Sequence, residues 1–471
     1  MKRWLATILA VVTAFSLMVI APASAVQMQD DQTFGHISEY KSFLDAHQDL
    51  VDYLAEKIYH LESSINVFSY QLPTLEIGTL LAVLDRTHPE LFFFSSFRYS
   101  YSGSLTYMIY PTYKYSNSEI LAMQAEFRTR AQWYLDKVDD SMSDFDKALV
   151  LHDALVINSS YLLTGATYDL MVNGQGRCYG YSECYSYLLA QVGIDSEIVE
   201  SNNMNHQWNK VKIDGEYYHV DVTWDDPVND RPGKVDHTFF LLSDSAIEGL
   251  PGNSRHYDYV SDYPSNDTRF DDKGFHQINT QFCYVGDNVY AVNNDRSSKS
   301  FCLYDAATDS FTVIQSFSDK IWSAGGSSYW IGSFIALDAY DGYLYMNTPD
   351  KILVYDTATG VFADFAQNTF EQDFYGVRVI DGKVYGVTAE NPNVTGTLQY
   401  VGDCLVRPPV TGDLDGDDAV TVEDVTVLQR YLSEFTELTE EQLALADADG
   451  DGKVNVKDVT HMQRQIAELL E

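Results

Sequence analysis

Cys178 and Cys184 lie six residues apart in the stretch GRCYGYSECYSYLL (176–189), which raises the question of thiol chemistry. After Cys178, aromatic and apolar residues recur at helical spacing, and Gly193 favours the end of a helix there. Cys178 is therefore predicted in the first helical turn, where unpaired N–H groups and the helix dipole favour a thiolate. Cys184 would lie about 9 Å further along the axis, too far for a disulfide with Cys178. It is predicted to be a small core residue.

A partner for this thiol is predicted in the segment HQWNKVKIDGEYYHVDVTWDD (206–226), whose pattern is typical of two strands. Asp214-Gly215 is a strong signal for a two-residue hairpin turn between them. With that turn, Ile213 faces Glu216, and the same register, carried on, places Trp208 opposite Asp221.

The register also brings an imidazole and a carboxylate together. His206 and Asp221 fall on one face of the predicted hairpin, one diagonal step or about 7 Å apart, within reach of their side chains. Asp225 lies on the other diagonal from His206, and His219 shares the same face. The residues alone leave Asp225 and His219 open as alternatives.

Three stretches in this order, GRCYGYSECYSYLLAQVGIDSEIVES (176–201), NHQWNKV (205–211) and YYHVDVTWDDP (217–227), resemble the transglutaminase-like superfamily. The resemblance implies an α+β, papain-like fold over residues 141–265, with a nucleophile helix packed on an antiparallel sheet. It further implies that Cys178 is the nucleophile, that His206 is the general base and acid, and that Asp221 orients the imidazole.

The implied chemistry is acyl transfer from an amide of a peptide or protein substrate. The backbone N–H of Cys178 is expected to stabilise the oxyanion, and Gln175 or a nearby aromatic residue is a candidate second donor. Water as the acceptor gives a peptidase or amidase, whereas a lysine amine gives a protein-glutamine cross-link. Bacterial members with this architecture are more often considered peptidases, which favours hydrolysis. A non-catalytic adhesion or binding protein is the alternative from another functional class.

Two acidic loops near the C-terminus, DLDGDDAVTVED (413–424) and DADGDGKVNVKD (447–458), repeat one pattern 34 residues apart. Carboxylates at positions 1, 3, 5 and 12 have the spacing that wraps oxygen ligands around Ca²⁺, so two ions are expected. The predicted ligands are the carboxylates of Asp413, Asp415, Asp417, Asp424, Asp447, Asp449, Asp451 and Asp458, the carbonyls of Ala419 and Lys453, and the side chains of Thr421 and Asn455, directly or through water. Both loops end in Asp instead of the EF-hand Glu, and Asp418 replaces the usual glycine of the first loop.

Prolines 408 and 409 leave no room for a helix before the first loop. The segment from about Thr411 to Glu471, with a helix pattern after each loop, resembles a type I dockerin. The resemblance implies calcium-dependent folding and docking to a cohesin module of a scaffold protein in a cellulosome-type complex. Partner contacts are implied at Val422-Glu423 and Val456-Lys457.

The whole chain is predicted to be multidomain. Residues 1–25 carry two basic residues, an apolar run and a small-residue cleavage site, as a secretory signal peptide does, so the mature protein is expected to be extracellular and without a membrane span. Residues 26–140 are predicted as a mixed α/β supporting region with a hairpin at 102–104, residues 141–265 as the catalytic domain, and residues 408–471 as a small α dockerin. Between them, residues 266–407 repeat a turn-plus-strand unit, which predicts a β-rich domain, propeller-like or a sandwich.

The composition of the chain disfavours one class of function and one kind of scaffold. The chain has 69 acidic and 30 basic residues and a net charge of −39, which disfavours binding to nucleic acid. Five cysteines are few for a secreted chain, so disulfides are not expected to be its main scaffold. Cys283 and Cys302 lie in neighbouring strand-like segments and are candidates for one bridge.

Overall fold

A computed structural model describes residues 24–27, 40–226, 231–294, 299–317, 321–325, 327–330, 333–416 and 419–468. The chain is a mixed α/β protein and forms two compact units, of which one ends at Gln281 and the other begins at Phe282. Of the predicted signal peptide, only Ser24 and Ala25 belong to the described residues, and they lie in a short strand. Over the described residues, no helix combines the length and apolar character needed to cross a bilayer.

The first unit contains both helices and strands. Its helices are α1 (Tyr40–Tyr59), α2 (Ile77–Thr87), α3 (Asn117–Leu135), α4 (Asp144–Ile157), α5 (Thr167–Asn173), α6 (Cys178–Gln191), α7 (Val222–Asp225) and α8 (Asp244–Gly249). Its strands are β1 (Ser24–Gln27), β2 (Ile65–Asn66), β3 (Phe94–Ser102), β4 (Leu105–Tyr113), β5 (Ser160–Tyr161), β6 (Gln175–Gly176), β7 (Ser196–Ser201), β8 (His206–Ile213), β9 (Glu216–Val220) and β10 (Phe240–Leu242).

The N-terminal part of this unit builds on an antiparallel sheet of order β1-β3-β4-β2. The hairpin predicted near residue 103 is confirmed, because Ser102 pairs with Leu105 and Gly103 adopts a φ of 65° in the turn. Helix α1 buries Leu50, Leu54 and other apolar residues of its predicted face in the core beside this sheet.

The second sheet, of order β10-β9-β8-β7, carries the predicted hairpin. Ile213 pairs with Glu216, as the two-residue turn requires, and the register continues to Asn209 and Val220. Asp214 and Gly215 have φ values of 51° and 92°, the left-handed backbone that the favoured hairpin turns need. The predicted register is therefore confirmed over the length of β9.

The second strand is shorter than predicted. It ends at Val220, and the residues expected to extend it form the short helix α7 instead. The side chain of Asp221 caps this helix by accepting hydrogen bonds from the N–H groups of Thr223 and Trp224, both at 3.1 Å. An Asp side chain that satisfies such N–H groups stabilises a helix start, so the expected pairing of Trp208 with Asp221 is wrong.

The helix predicted after Cys178 is confirmed as α6, which begins at Cys178 and is followed by Gly193 at a φ of 81°. It packs on the second sheet, and Asn209 of β8 donates from its side chain to the carbonyl of Ser182 at 3.0 Å. A Cβ at Gly180 would lie 3.1 Å from the carbonyl oxygen of Ala166. The glycine two residues after Cys178 therefore permits close packing of α6 against the segment before α5.

The second unit consists of strands followed by helices. Its strands are β11 (Cys283–Val285), β12 (Asn288–Asn293), β13 (Ser300–Asp305), β14 (Ser310–Ser316), β15 (Ser323–Gly325), β16 (Ser328–Tyr329), β17 (Leu337–Tyr340), β18 (Tyr343–Asn347), β19 (Lys351–Asp356), β20 (Val361–Gln367), β21 (Phe374–Ile380), β22 (Lys383–Thr388) and β23 (Thr397–Asp403). Its helices are α9 (Val422–Leu432), α10 (Glu440–Ala446) and α11 (Val456–Glu468).

The sequence repeats correspond to successive antiparallel sheets of order β11-β12-β13-β14, β17-β18-β19-β20 and β21-β22-β23. The predicted turn-plus-strand unit recurs as the hairpin that joins the first two strands of each sheet. Alternate residues of β18 enter different cores: Leu344 and Met346 pack with the first sheet, whereas Tyr345 packs with the third. The middle sheet is thus covered by a sheet on each face.

No disulfide joins Cys283 to Cys302, so the bridge proposed for them is wrong. Both residues are described, on β11 and β13, and β12 lies between these strands. Strands that flank a third one are about 9.5 Å apart, beyond the span of a disulfide.

Candidate active site and calcium loops

Cys178 is the first residue of α6 and is almost fully buried. Its thiol lies close enough to the imidazole of His206, at the start of β8, to help raise the pKa of that ring. Cys184 is fully buried instead, its thiol points at the carbonyl of Thr167 at 3.2 Å, and burial raises the pKa of that thiol well above its usual value. The two cysteines therefore differ as expected: Cys184 is a core residue, and Cys178 lies beside an imidazole.

The imidazole of His206 is held by Asp221. Its Nε2 lies 2.6 Å from Oδ2 of Asp221, and both side chains are buried. Burial lowers the pKa of His206, but the charge and hydrogen bond of Asp221, aided by Cys178, outweigh it and raise that pKa to about 10. Burial raises the pKa of Asp221, but the hydrogen bonds and charges of its histidine neighbours outweigh it and lower that pKa below its usual range.

This contact fixes how His206 can exchange a proton. An ionised carboxylate only accepts hydrogen bonds, so Nε2 of His206 donates to Asp221. In the neutral ring the lone pair is then on Nδ1, the nitrogen left for the thiol of Cys178. The arrangement is thus suited to moving a proton between Cys178 and His206.

Two tryptophans contact the imidazole of His206. The ring of Trp224 in α7 stacks on it at 5.0 Å between centroids, and that of Trp208 in β8 does so at 5.6 Å. These contacts limit the orientations open to the imidazole and keep its polar edges for Asp221 and Cys178.

The alternative partners are engaged elsewhere. Asp225 accepts a hydrogen bond from the backbone N–H of Phe239 at 3.1 Å and contacts His152 at 3.1 Å. His219 contacts Asp244 at 2.8 Å, and burial lowers its pKa to about 4. Of the residues that the sequence left open, the structure brings Asp221 to His206. Gln175, the candidate oxyanion donor, lies in β6 with an exposed side chain.

Sequence reasoning missed His256. It is fully buried, and its Nε2 lies 2.8 Å from the same Oδ2 of Asp221 that His206 contacts. It stands 35 positions after Asp221, in a segment without periodicity, so no spacing in the sequence points to it.

A second buried network lies near the site and was also missed. His152 of α4 contacts Asp153 at 2.9 Å through Nδ1 and Asp225 at 3.1 Å through Nε2, while His237 contacts Asp153 at 2.8 Å. Burial lowers the pKa of His152, but hydrogen bonds to the two carboxylates outweigh it and raise that pKa to about 9. Burial also raises the pKa of Asp225 to about 6, although His152 opposes the shift. The network anchors the C-terminal end of α7, whose N-terminal end is capped by Asp221.

We expect this network to make the stability of the first unit fall as the pH rises above neutral. The pKa of His152 is about 6.5 in an unfolded chain and about 9 in the folded one, so between these values the folded state binds more protons. The free energy of unfolding should then fall by roughly 1 kcal/mol per pH unit for each such proton. The measurement is urea unfolding, followed by tryptophan fluorescence, across this pH range.

The matched variants for this test are His152→Gln and His60→Gln, the latter at an exposed position. His152→Gln should reduce the slope to the part contributed by His206, whose pKa is also raised, and should lower the stability, whereas His60→Gln should change neither. A wild-type stability that stays constant or rises between neutral pH and the folded pKa of His152 would contradict the prediction.

The acidic loops precede α9 and α11. In the first loop, carboxylate oxygens of Asp413, Asp415 and Asp424 lie within 4.8 Å of one another. Asp424 is fully buried and accepts hydrogen bonds from the backbone N–H groups of Leu414 and Thr421, at 2.6 and 2.7 Å. Asp417, the remaining carboxylate predicted for this loop, lies outside the described residues, as does Asp418.

The second loop repeats the arrangement. Oxygens of Asp447, Asp449 and Asp458 lie within 4.8 Å of one another, and Asp458 is fully buried. Among the described residues, Oδ1 of Asp447 is a buried carboxylate oxygen without a hydrogen-bond partner. A buried anionic oxygen without a partner is costly, and a bound cation would compensate it, so the donor set fits Ca²⁺.

The other predicted ligands lie beside these carboxylates. Asp451 accepts a hydrogen bond from the N–H of Lys453, and the carbonyl of Lys453 accepts one from the side chain of Asn455 at 2.9 Å. Thr421 caps α9 and donates to Asp424 at 3.2 Å. Ala419 is described and exposed.

Residues 411–467 match the dockerin type I domain. The predicted dockerin is therefore confirmed for this segment, and with it the absence of a helix between β23 and the first loop in the described residues. Type I dockerins generally bind calcium and dock to cohesins, and they are typical of extracellular cellulosome components.

The other comparisons are weaker. The crystal structure of a TGase is similar to this chain at 12% identity and a TM-score of 0.21. The match covers 34% of this chain and 50% of that one, so it spans half of the other protein's length. No curated protein matches the chain.

Proposed function

We propose that this protein is a secreted, scaffold-docked cysteine enzyme of the transglutaminase-like type, acting on amide bonds of peptides or proteins. Its catalytic residues would be Cys178, His206 and Asp221. The observation that carries the proposal is the series of contacts that leads from the thiol at the start of α6 through His206 to the buried carboxylate of Asp221.

The reaction follows from these contacts. His206 takes the thiol proton on Nδ1, and the sulfur of Cys178 attacks the amide carbonyl carbon. The backbone N–H of Cys178 points out of the helix start and stabilises the developing oxyanion. His206 then gives its proton to the leaving amine as the C–N bond breaks, which leaves an acyl-thioester on Cys178. Asp221 keeps the imidazole in the tautomer that both transfers need.

The second half of the reaction depends on the acceptor. His206 takes a proton from water, the resulting hydroxide attacks the thioester, and the thiol returns as the acid leaves. A lysine amine in place of water would give a cross-link by the same steps. We propose hydrolysis, and keep as alternatives cross-linking and a docked binding protein without turnover.

We further propose that the core of the first unit is papain-like. Its support is the position of α6, the helix that begins with the proposed nucleophile. The first residue of α6 lies beside His206, and the helix packs against β8 of a four-stranded antiparallel sheet. For the β-repeat region we propose the propeller-like alternative, because the middle sheet has sheets packed on both of its faces. A two-layer sandwich would cover one face of each sheet.

The dockerin would determine where the proposed enzyme is located. We propose that it binds two calcium ions and attaches the enzyme to a cohesin of a scaffold protein. Val422 and Val456, the first residues of α9 and α11, expose 60% and 72% of their surface, and the following Glu423 and Lys457 are exposed as well. These positions are available to a partner, and because they differ in charge the two faces would not be equivalent.

Alkylation of the thiols tests the proposal. In the calcium-loaded full chain, iodoacetamide labelling mapped by mass spectrometry from about pH 5 to about pH 9 should modify Cys178 before Cys184, since a thiolate is the reactive form. His206→Ala should abolish the advantage at the acidic end, because the positive charge beside Cys178 is lost. Equal labelling of Cys178 in wild type and His206→Ala would contradict the enzyme and favour a docked binding protein.

A further inference from the structure

His256 contacts the orienting carboxylate directly. Oδ2 of Asp221 lies 2.6 Å from Nε2 of His206 and 2.8 Å from Nε2 of His256. Oδ1 of the same side chain accepts from the N–H groups of Thr223 and Trp224. Both oxygens of the Asp221 carboxylate therefore have partners: Oδ1 caps α7, and Oδ2 lies between two imidazoles.

The ring of His256 is held in place on its other sides. It packs against Trp224 at 4.4 Å, Trp208 at 4.7 Å and Phe239 at 5.4 Å between centroids. Its Nδ1 lies 3.2 Å from the carbonyl oxygen of Ser254. The two tryptophans are the ones that contact His206, so both imidazoles share one aromatic enclosure around Asp221.

We infer that His256 is a positioning residue for the proposed acyl transfer: it fixes Oδ2 of Asp221 so that His206 presents Nδ1 to Cys178. The inference rests on the proposed function. Its physical basis is geometric. Without the imidazole of His256, rotation of the Asp221 carboxylate could carry Oδ2 away from His206. The tautomer of His206 would then no longer be defined.

The electrostatics agree with this role. Burial raises the pKa of Asp221, but His206 and then His256 outweigh it, so the carboxylate stays charged. The titratable side chains that face His256 are Asp221, His206 and His219. Without His256 the pKa of Asp221 should rise, so the carboxylate would take up a proton at a higher pH. The acidic limb of Cys178 reactivity should then move to higher pH.

The test compares His256→Phe with His256→Gln in the full, calcium-loaded chain. His256→Phe keeps the aromatic packing and removes the donor, so we expect the rate constant for Cys178 alkylation by iodoacetamide near pH 6 to fall by about 10- to 100-fold, by analogy with the residues that orient the ligands of metal sites. His256→Gln retains an N–H group and should recover part of the loss. The matched control is His276→Gln, because the ring nitrogens of His276 contact the carbonyls of His237 and Phe270, at 2.8 Å each, and not Asp221.

A readout independent of reactivity separates this inference from the proposed function. Nitrogen NMR of ¹⁵N-histidine-labelled protein, recorded above the His206 pKa of about 10 so that the ring is neutral, should find His206 as the Nε2–H tautomer in wild type and as a mixture in His256→Phe. If His256→Phe folds and has the wild-type tautomer, pH profile and alkylation rate, the positioning role is overturned while the enzyme proposal stands. If wild-type Cys178 is unreactive but the tautomer still depends on His256, the positioning of Asp221 is supported and the chemistry fails. If His256→Phe does not fold, the same readouts on His256→Gln decide.

Discussion

Asp221→Asn is expected to lower amide hydrolysis by about four orders of magnitude, as the loss of the orienting carboxylate does in a Ser-His-Asp triad. In the variant, Oδ1 can go on capping α7, since Asn is as good a cap as Asp. The amide NH₂ then replaces Oδ2 and points a donor at Nε2 of His206. The imidazole must accept there and carry its proton on Nδ1, where it can no longer take the thiol proton of Cys178.

The measurement is the rate of new amino-terminus formation from a denatured protein probe such as casein, with iodoacetamide labelling of Cys178 alongside. Asp225→Asn is the matched control, because Asp225 is a buried carboxylate of the same short helix and was the rival partner from the sequence. It should destabilise the network with His152 but leave the labelling of Cys178 unchanged at temperatures where the protein is folded. A loss of labelling in Asp225→Asn, with labelling retained in Asp221→Asn, would show that Asp225 and not Asp221 orients His206.

The sequence predicts those parts of the site that local rules determine. The two-residue turn at Asp214-Gly215 needs left-handed backbone at both positions, which Asp and Gly tolerate, and this sets the register up to Val220. Helical spacing likewise places Cys178 at the start of α6. Once the turn and the helix start are known, the approximate positions of the thiol, the imidazole and the carboxylate can be inferred.

Features that depend on tertiary contacts could not be predicted in this way. Strand propensity extends through Val222 and Thr223, but the cap made by Asp221 ends the strand and begins α7. His256 reaches Asp221 from a segment without a periodic pattern, and its contact exists only because the aromatic enclosure closes around it. The bridge expected between Cys283 and Cys302 does not form because the strands of this sheet follow their order in the sequence, which places β12 between β11 and β13.

Removal of calcium is expected to unfold the dockerin and abolish cohesin binding. The apolar core of this segment is small, and its buried members are Leu414, Val420, Val425, Leu428, Ala446, Val459 and Met462. A bound ion adds about 4 kcal/mol at a free concentration 1,000 times its Kd, a large share of the stability available to so small a module. Without calcium, the clustered carboxylates of each loop would repel one another.

Calorimetric titration with a cohesin, with and without a chelator, measures this dependence. Far-UV circular dichroism of the full chain should show the loss of α9 and α11 on chelation, while Cys178 labelling stays constant because the first unit holds none of the loop ligands. Glu440→Gln serves as the control for charge, since Glu440 is an exposed acid outside both loops. Binding that survives chelation would contradict a calcium-dependent fold.

The two loops should not contribute equally to this dependence. Gly452, at position 6 of the second loop, adopts a φ of 81°, a conformation that costs glycine little. The first loop has Asp418 at that position, and a positive φ has a higher free-energy cost for Asp than for glycine. The second loop is therefore expected to bind calcium more tightly, so Asp458→Ala should weaken cohesin binding more than Asp424→Ala does. Both residues are fully buried carboxylates at position 12, which makes the pair a matched comparison, and the opposite order would show that position 6 does not set the difference.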